Sequence, residues 1–471
     1  MMPLGDILPE IAVLLTAVAI VLLASFLPRH LQWTCAPVAL AGLAIAAVFL
    51  LMQANGEARA TFSATFALDM ASIEGRLLIL FSTAVTVLLA PRWFATDRRH
   101  GEYYGMLLFS ALGAMALAGA LDLLLVLIGV LLSSATGYVL AAYHRDWALS
   151  VEAGMKYFLV GALANTALAL GAIFMIGMLG APGFGEIAAS LAEGEASPLL
   201  LVGLGLVTVG LAYKLGAVPA HAWLPDVAEG APVPSAAFLT VVPKIGAAIA
   251  LARLVALFPD AGYAIRPLVA ALAVVTMTLG NLAALWQDDM RRMLGWSSVS
   301  QAGYLLMAVT VVGLSDQAMP ALVVFLFGYT AANLAAFSAI AHLRGRTLRD
   351  DYAGLLKSAP FAAIALILAF LSLVGIPPLG GFVGKLELFL ASIDGGYGWL
   401  AVVAILNTVV SLVYYLRFVA PMVLREPAGE VHRLGSWSAA ALCMAVAAVV
   451  ATGVLAQVIL APLMGAILLP S

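Results

Sequence analysis

Apolar residues run along this chain in long stretches, without the two-residue period of a half-buried strand or the 3.6-residue period of a surface helix. A helix needs roughly 20 apolar residues to cross a bilayer, and each stretch has about that length. The pattern therefore predicts an all-α polytopic membrane protein with about fourteen transmembrane helices. We place them near 7–27, 35–53, 71–91, 103–120, 122–143, 154–180, 198–218, 235–257, 264–286, 296–314, 318–342, 360–393, 397–421 and 436–467.

Composition supports this reading of the pattern. Of the 471 residues, 64% are hydrophobic and 10% are charged, whereas about 25% are charged in an ordinary globular protein. A soluble enzyme is therefore excluded. The longest connections, around 54–70, 181–197 and 343–359, leave no room for a soluble domain. The first apolar run lacks a basic leader and a small-residue cleavage site, so we expect it to be retained as a span.

Charge and cysteine content limit the possible partners and cofactors. The formal net charge is -3 and no basic block could neutralise a run of phosphates, so nucleic acid is not an expected partner. Cys35 and Cys443 are the only cysteines, too few for an iron–sulfur cluster with about four cysteine ligands or for a disulfide framework. We therefore expect no cofactor or metal on this chain and any electron chemistry on another chain.

The distribution of basic residues predicts the orientation in the membrane. Lys and Arg near helix ends stay on the cytoplasmic side. Connections after odd-numbered spans hold thirteen of them, whereas connections after even-numbered spans hold only Arg59 and Arg266. Both termini are therefore predicted to lie on the outer side.

Seven further cations fall within or at the ends of predicted spans. A long side chain near a span end can reach the headgroups, and we expect this of Arg76, Arg253, Arg417 and Lys156. The other three lie deeper, each beside a helix-breaking sequence: Lys214, Lys244 and Lys385. A charge at the bilayer centre costs about 2.5–3.5 kcal/mol, so these three lysines are candidates for function.

Prolines account for the predicted helix breaks near the first two lysines. Pro219 cannot donate a hydrogen bond to the carbonyl of Leu215, which follows Lys214. Pro243 frees the carbonyl of Leu239, one turn before Lys244. Non-helical backbone at membrane depth is tolerated only where protein or a water-filled cavity covers it. We therefore expect polar, hydrated surroundings at these breaks.

The twelfth span contains a similar break. Pro377 and Pro378 release the carbonyls of Leu373 and Val374, and Lys385 lies one turn beyond Gly380 and Gly381, which loosen the following turn. Broken seventh and twelfth spans suggest a duplicated five-helix unit, spans 4–8 and 9–13, and an odd repeat length inverts its topology. Inverted repeats with broken helices are typical of ion-coupled carriers. The predicted units are 1–100, 101–257, 258–421 and 422–471.

Buried lysines suit proton transfer. Burial disfavours the charged form of a lysine, so a buried lysine can alternate between charged and neutral near pH 7, which an arginine cannot do. His221 lies between Lys214 and Lys244, and the ordinary histidine pKa near 6.5 suits a proton relay. The alternative for His221 is a loop histidine that caps a helix end.

Seven stretches, spread from about 100 to 420, resemble one family in order and spacing. They are EYYGMLLFSALGAMALAGALDLLLVLIGV (102–130), EAGMKYFLVGALA (152–164), GLAYKLGAVPAHAWLPDVAEGAPVPSAAFLTVVPK (210–244), RRMLGWSSVSQAGYLL (291–306), DDYAGL (350–355), LSLVGIPPLGGFVGKLELF (371–389) and LNTVVSLVYYLR (406–417). The family they resemble is subunit N of bacterial NADH:quinone oxidoreductase, respiratory complex I, one of its antiporter-like proton channels.

The resemblance carries expectations for the whole assembly. It implies a proton-translocating subunit in the bacterial inner membrane, with both termini periplasmic and other membrane-arm subunits as partners. NADH, FMN, iron–sulfur clusters and quinone would bind to partner subunits. The family's central lysines match Lys214, Lys244 and Lys385, and its loop histidine matches His221.

Two positions depart from the family pattern. Leu131 stands where the fifth helix usually has a glutamate that pairs with Lys214, and Gln301 replaces a common histidine. A replacement acid could be Glu152 or an acid of the adjoining subunit. These departures are compatible with a divergent second-copy form of the subunit. Two alternatives stay open: a channel subunit of a Mrp-type cation/proton antiporter or membrane-bound hydrogenase, and a structural spacer with a lapsed half-channel.

Overall fold

The computed structural model describes residues 3–193, 197–258, 263–463 and 467–468, and these are mostly helical, as the apolar pattern predicted. The α-helices are α1 Leu8–Phe26, α2 Cys35–Gln53, α3 Met70–Trp93, α4 His100–Gly119, α5 Leu123–Ala141, α6 Ala148–Leu179, α7 Phe184–Glu193, α8 Pro198–Leu215, α9 Trp223–Gly230, α10 Val233–Leu239, α11 Val242–Ala256, α12 Ile265–Ala284, α13 Met290–Val311, α14 Ala318–His342, α15 Leu355–Ser358, α16 Pro360–Val374, α17 Gly380–Asp394, α18 Gly398–Leu424, α19 Ser436–Val454 and α20 Ala456–Leu463. Short 3-10 helices cover Leu4–Ile7, Arg29–Thr34 and Arg349–Tyr352.

Helices occupy all fourteen predicted span positions. Within the described ranges, eleven helical segments are long and apolar enough to cross a membrane. The other three positions hold α4, the more polar α13, and the pair α16 and α17, into which the twelfth predicted span is divided. The fold class is confirmed, whereas the count of fourteen crossings, the inverted repeats and the boundaries between units stay predictions.

The three longest connections contain regular structure. In 54–70, β1 (Arg59–Thr61) pairs antiparallel with β2 (Phe66–Leu68). The connection 181–197 contains α7, and 343–359 contains a 3-10 turn and α15. The Asp6 carboxylate accepts hydrogen bonds from Arg59 at 2.7 Å and Thr61 at 2.6 Å, which fixes the hairpin against the amino-terminal turn.

Side-chain caps fix the starts of several helices. Asp69 accepts a hydrogen bond from the Ser72 amide at the start of α3, and Asp122 accepts from two amides at the start of α5. Such caps satisfy backbone donors that have no partner within the helix. The caps therefore set the depth at which each helix begins.

The helix that carries Lys244 lies inside the bundle. The segment Val233–Ala256, which holds α10 and α11, is fully buried, and α14 is nearly so. By contrast α1 and α19 leave most of their apolar surface exposed. The interior helices are therefore shielded from lipid by the outer ones.

Two arginines that were expected to reach the headgroups are buried instead. Arg253 is 0% exposed and donates to Asp69 at 2.6 Å and to the Ala118 carbonyl at 3.0 Å. Arg76 is also 0% exposed and donates to Glu10 at 3.0 Å. The snorkelling prediction is wrong for both, because acids from distant segments supply partners inside the protein.

The other two cations of that group lie at the surface. Arg417 contacts Asp288 at 3.2 Å with 32% of its side chain exposed. Lys156 contacts Glu152 at 2.7 Å and Asp226 at 3.0 Å, with 46% of its side chain exposed. Both fit the expectation of side chains that reach a polar boundary.

Candidate functional site

The three candidate lysines are buried without a counter-ion. Lys214 and Lys244 are 0% exposed and Lys385 is 3% exposed. Within the described parts of the chain, no carboxylate lies within ion-pair distance of any of them. Each amine instead contacts hydroxyl or backbone oxygens and lies within 6 Å of a tyrosine ring centroid, at 5.6, 5.3 and 4.4 Å in turn.

Lys214 lies at the end of α8, where the helix stops as predicted. Gly216 follows in the left-handed conformation with φ 68°, and the Ala217 amide donates back to the Ala212 carbonyl. Glycine adopts this conformation at little cost, which explains its place at the helix end. The amine of Lys214 lies 3.4 Å from the Ser133 hydroxyl on α5.

His221 lies in the turn between α8 and α9 and is half-buried. Its ring centroid is 5.8 Å from that of Trp296. Its Nδ1 atom is buried and has no hydrogen-bond partner among the described residues. The structure records no contact between His221 and Lys214, so a direct relay between them would require an intervening group.

Lys244 lies just after a second interruption. Pro243 is in the first turn of α11, and α10 ends at Leu239, so the eighth span is divided as well as the seventh and twelfth. The Lys244 amine donates to the Ser298 carbonyl and, at 2.7 Å, to the Ser298 hydroxyl. The Ser298 hydroxyl in turn contacts the Tyr329 hydroxyl at 2.6 Å.

The interruption itself is held by the same polar cluster. The Tyr329 hydroxyl donates at 2.7 Å to the carbonyl of Thr240, which lies between α10 and α11. The Asn333 amide donates at 2.8 Å to the Thr240 hydroxyl. Because these groups satisfy backbone that the helix leaves unpaired, the break is built into the interior and not merely tolerated.

Lys385 binds the carbonyls that the proline pair was predicted to free. Its amine donates to Leu373 at 3.0 Å and to Val374 at 2.9 Å, the last residues of α16. The peptide bond between Pro377 and Pro378 lies in the gap between α16 and α17. The chain therefore leaves its helical path between α16 and α17, with Lys385 bound to the carbonyls at the break.

Helix α13 connects the surroundings of two lysines. Its Ser298 binds Lys244, and one turn later the Gln301 amide donates at 3.2 Å to Leu373, a carbonyl that Lys385 also binds. Tyr304, a further turn along, lies 4.4 Å beneath the Lys385 amine. Gln301, which replaces the histidine common in the family, therefore lies beside Lys385.

Leu131 stands where the family has a glutamate that would pair with Lys214, but it points away from this lysine. It is 44% exposed on the outer face of α5, whereas Ser133 on the inner face contacts Lys214. Glu152, one of two candidate replacement acids, binds Lys156. Among the described residues, no carboxylate of this chain therefore pairs with Lys214. An acid from an adjoining subunit as its counter-ion stays a prediction.

Sequence reasoning missed the neutral partners of the lysines. The missed residues are Ser133, Thr240, Ser298, Tyr304, Tyr329, Asn333 and Thr408. The run WSSVSQ inside an otherwise apolar span was the available signal, because hydroxyl and amide groups at membrane depth need partners. The site offers amines that can exchange a proton and hydroxyls that can pass one, together with amide and carbonyl groups that only form hydrogen bonds.

Comparisons with known proteins identify the family. The family model described as NADH:quinone oxidoreductase/Mrp antiporter, TM, matches residues 120–411. The NADH-quinone oxidoreductase subunit N of Mycobacterium sp. (strain JLS) is 44% identical over 84% of this chain and 84% of its own. The chain belongs to this family. Within the family, subunit N 1 of Streptomyces griseus is 42% identical over 88% of each chain.

Solved structures agree with the fold. A chain of respiratory complex I from Thermus thermophilus with bound aureothin has a TM-score of 0.83 and 31% identity, covering 96% of this chain and 99% of that one. A chain of the Mrp complex from Dietzia sp. has a TM-score of 0.84 at 23% identity, covering 99% and 97%. The second likeness is one of fold alone. The resemblance stated from sequence is confirmed, while the roles of individual residues stay predictions.

Proposed function

We propose that this chain is a proton-translocating membrane-arm subunit of NADH:quinone oxidoreductase. Its other membrane-arm subunits and the lipid bilayer would be its partners, and NADH, FMN, iron–sulfur clusters and quinone would bind elsewhere in the complex. The chain would lie in the bacterial inner membrane with both termini in the periplasm. Its own contribution would be a path of protonatable groups across the bilayer.

The observation that carries the proposal is the set of three buried lysines without a described counter-ion. A buried ammonium is costly, and a carboxylate beside it would hold it permanently charged. Neutral oxygens stabilise the charged form through hydrogen bonds without fixing the proton in place. Such a lysine can therefore take up and release a proton when a nearby charge moves.

The stretch between Lys244 and Lys385 is the best-connected part of the path. The Lys244 amine contacts Ser298, and Ser298 and Gln301 lie one turn apart on α13. Gln301 and Lys385 both donate to the carbonyl of Leu373. Gln301 cannot carry a proton, so water along α13 would complete the path. Lys214, Ser133 and His221 would form the part of the path nearer the amino terminus.

The similarity to named relatives supports complex I over the first alternative. The curated relatives named subunit N reach 44% identity, whereas the Mrp chain reaches 23% with the same fold. The spacer alternative draws support from Leu131 alone. The loss of the family's glutamate at Leu131 therefore weakens the argument for proton transfer most in the amino-terminal half-channel.

A direct test uses inverted membrane vesicles that contain the complete complex. Proton uptake per NADH oxidised is measured with quinone as acceptor, in the parent protein and in Lys244→Met. Methionine removes the amine and keeps a chain of similar length, so we expect assembly to persist and coupled proton uptake to fall. Lys357→Met is the matched control, because Lys357 is exposed and its amine binds Glu426 at the surface.

Two outcomes would contradict the proposal. Full coupled uptake in an assembled Lys244→Met complex would remove this lysine from the path. Cation/proton exchange that needs neither NADH nor quinone would instead favour the Mrp-type alternative.

A further inference from the structure

A cavity of about 360 Å³ lies where the ends of four helical segments meet, away from the candidate lysines. It is bounded by the 3-10 turn before α2, the end of α3, and the starts of α4 and α19. The side chains that matter in its wall are two guanidinium groups, two imidazoles and two indoles: Arg29, Arg92, His30, His100, Trp33 and Trp437. None of its lining residues, all of them described, is acidic.

The two arginines of this cavity are exposed and have no protein partner among the described residues, unlike the buried arginines of the bundle. Within the described residues neither Arg29 nor Arg92 contacts a carboxylate, and neither donates a hydrogen bond to a protein oxygen. Arg76 and Arg253, by contrast, each bind an acid. Two unneutralised guanidinium groups that share one cavity attract an anion.

The wall of the cavity is held in place by internal hydrogen bonds. The Gln32 side chain donates to the Ala24 carbonyl at 3.3 Å and accepts from the Gly101 amide at 3.2 Å, which joins α1, the turn and α4. His100 contacts the Tyr104 hydroxyl at 2.8 Å. The cavity is therefore a built feature of the fold, formed where ordered segments meet.

The level of the cavity matches the lipid headgroups. It lies at the ends of predicted spans, and the neighbouring outer face of α1 is apolar, with Phe26 87% and Leu23 40% exposed. Trp33 is 44% exposed and Trp437 is half-buried. Indole rings concentrate at the boundary between hydrocarbon and water.

We propose that this cavity binds the phosphate-bearing headgroup of an anionic phospholipid. A guanidinium group binds phosphate oxygens through two parallel hydrogen bonds, and two such groups would hold one phosphodiester. Basic pockets between spans on the cytoplasmic side, where the Lys and Arg distribution places this one, are sites for anionic headgroups. The acyl chains would lie along the exposed apolar face of α1.

The adjacent cavity, of about 720 Å³, provides a matched comparison. It is also lined by arginines, including Arg98 and Arg145, but Asp97 and Asp146 line it too. The carboxylates neutralise part of its charge and repel phosphate. We therefore expect the headgroup to prefer the first cavity.

The test measures lipid binding to the full-length chain in detergent by native mass spectrometry. Phosphatidylglycerol is titrated against the parent chain and against Arg29→Gln/Arg92→Gln, with phosphatidylcholine as the uncharged-headgroup reference. We expect about fivefold weaker binding of phosphatidylglycerol for each arginine removed and about thirtyfold for both, with little change for phosphatidylcholine. Arg98→Gln/Arg145→Gln is the control and should bind phosphatidylglycerol as the parent does.

Three results would overturn the proposal. These are equal affinity for the two lipids in the parent, unchanged phosphatidylglycerol binding in the double variant, or equal weakening in the control. Competition with inorganic phosphate separates the two sources of the anion: displacement at equal concentration would assign the cavity to free phosphate and refute the lipid. If the double variant does not fold, Arg29→Lys keeps the charge and should still weaken binding, because lysine lacks the bidentate geometry.

Discussion

Replacing Lys385 by arginine separates a structural role of this amine from a role in proton transfer. Arginine keeps a positive charge and can donate to the carbonyls of Leu373 and Val374, which Lys385 binds at 3.0 and 2.9 Å. It cannot release its proton in a protein. We therefore expect Lys385→Arg to assemble and yet to lose coupled proton uptake.

The structural cost of the change can be judged from the neighbours. Lys385 is 3% exposed, so the larger guanidinium group of arginine must fit into a pocket that protein already encloses. Overpacking of this kind costs about 1–3 kcal/mol. Lys385→Met leaves the Val374 carbonyl without its donor, and an unsatisfied buried carbonyl costs about 1–3 kcal/mol of stability. The Leu373 carbonyl keeps its hydrogen bond from Gln301. The two variants should therefore be similarly stable.

The assay is NADH-driven proton uptake in inverted vesicles, with the amount of assembled complex measured in the same membranes. Both Lys385 variants should show uptake well below that of the parent, and Lys357→Met, at the surface, should match the parent. Normal uptake in Lys385→Arg together with loss in Lys385→Met would show that only the charge matters. That result would refute the reasoning that this lysine exchanges a proton.

Three further predictions address other parts of the chain. Leu131→Glu restores the family's acid on the exposed face of α5, away from Lys214, so we expect the pH profile of proton uptake to stay as in the parent, at a cost of about 2.5–3.5 kcal/mol for the unpaired charge; an altered profile would show that an acid at this position reaches Lys214. Asp69→Asn leaves the fully buried Arg253 without its acid and should lower the free energy of unfolding by about 3–5 kcal/mol, seen in detergent as a lower thermal midpoint; an unchanged midpoint would contradict it. Burial lowers the pKa of His144, in the loop after α5, from 6.5, so the unfolded chain takes up the proton first and stability should fall as the pH drops below about 6.5; His144→Gln should flatten that dependence.

The helix breaks were predictable because their cause is local. Proline lacks an amide hydrogen whatever surrounds it, so the freed carbonyls of Leu373 and Val374 followed from sequence alone, and both accept from Lys385. The depth of the lysines within apolar runs was equally local. The family resemblance was visible in the sequence for the same reason, because its motifs contain these prolines and lysines.

The partners of buried charges were not predictable, because they come from distant parts of the chain. Arg76 and Glu10 are 66 residues apart, and Arg253 and Asp69 are 184 residues apart. A hydropathy pattern describes how far a residue is from a span end, but not which helix packs beside it. Lys214 illustrates the same limit, since its contact with Ser133 depends on how α8 and α5 both pack against α6.

The polarity of α13 has a consequence for the biosynthesis of the protein. This helix supplies Ser298 and Gln301 to the lysine pockets and is not among the segments apolar enough to span a membrane alone. Glycines let it pack very closely on α12: a Cβ on Gly303 would lie 2.6 Å from the Met277 amide nitrogen, and one on Gly280 would lie 2.5 Å from an amide nitrogen of α13. A translocon releases segments into lipid according to their transfer free energy. We therefore expect the hairpin of α12 and α13 to leave the translocon as a pair, in which the more apolar α12 draws α13 into the bilayer.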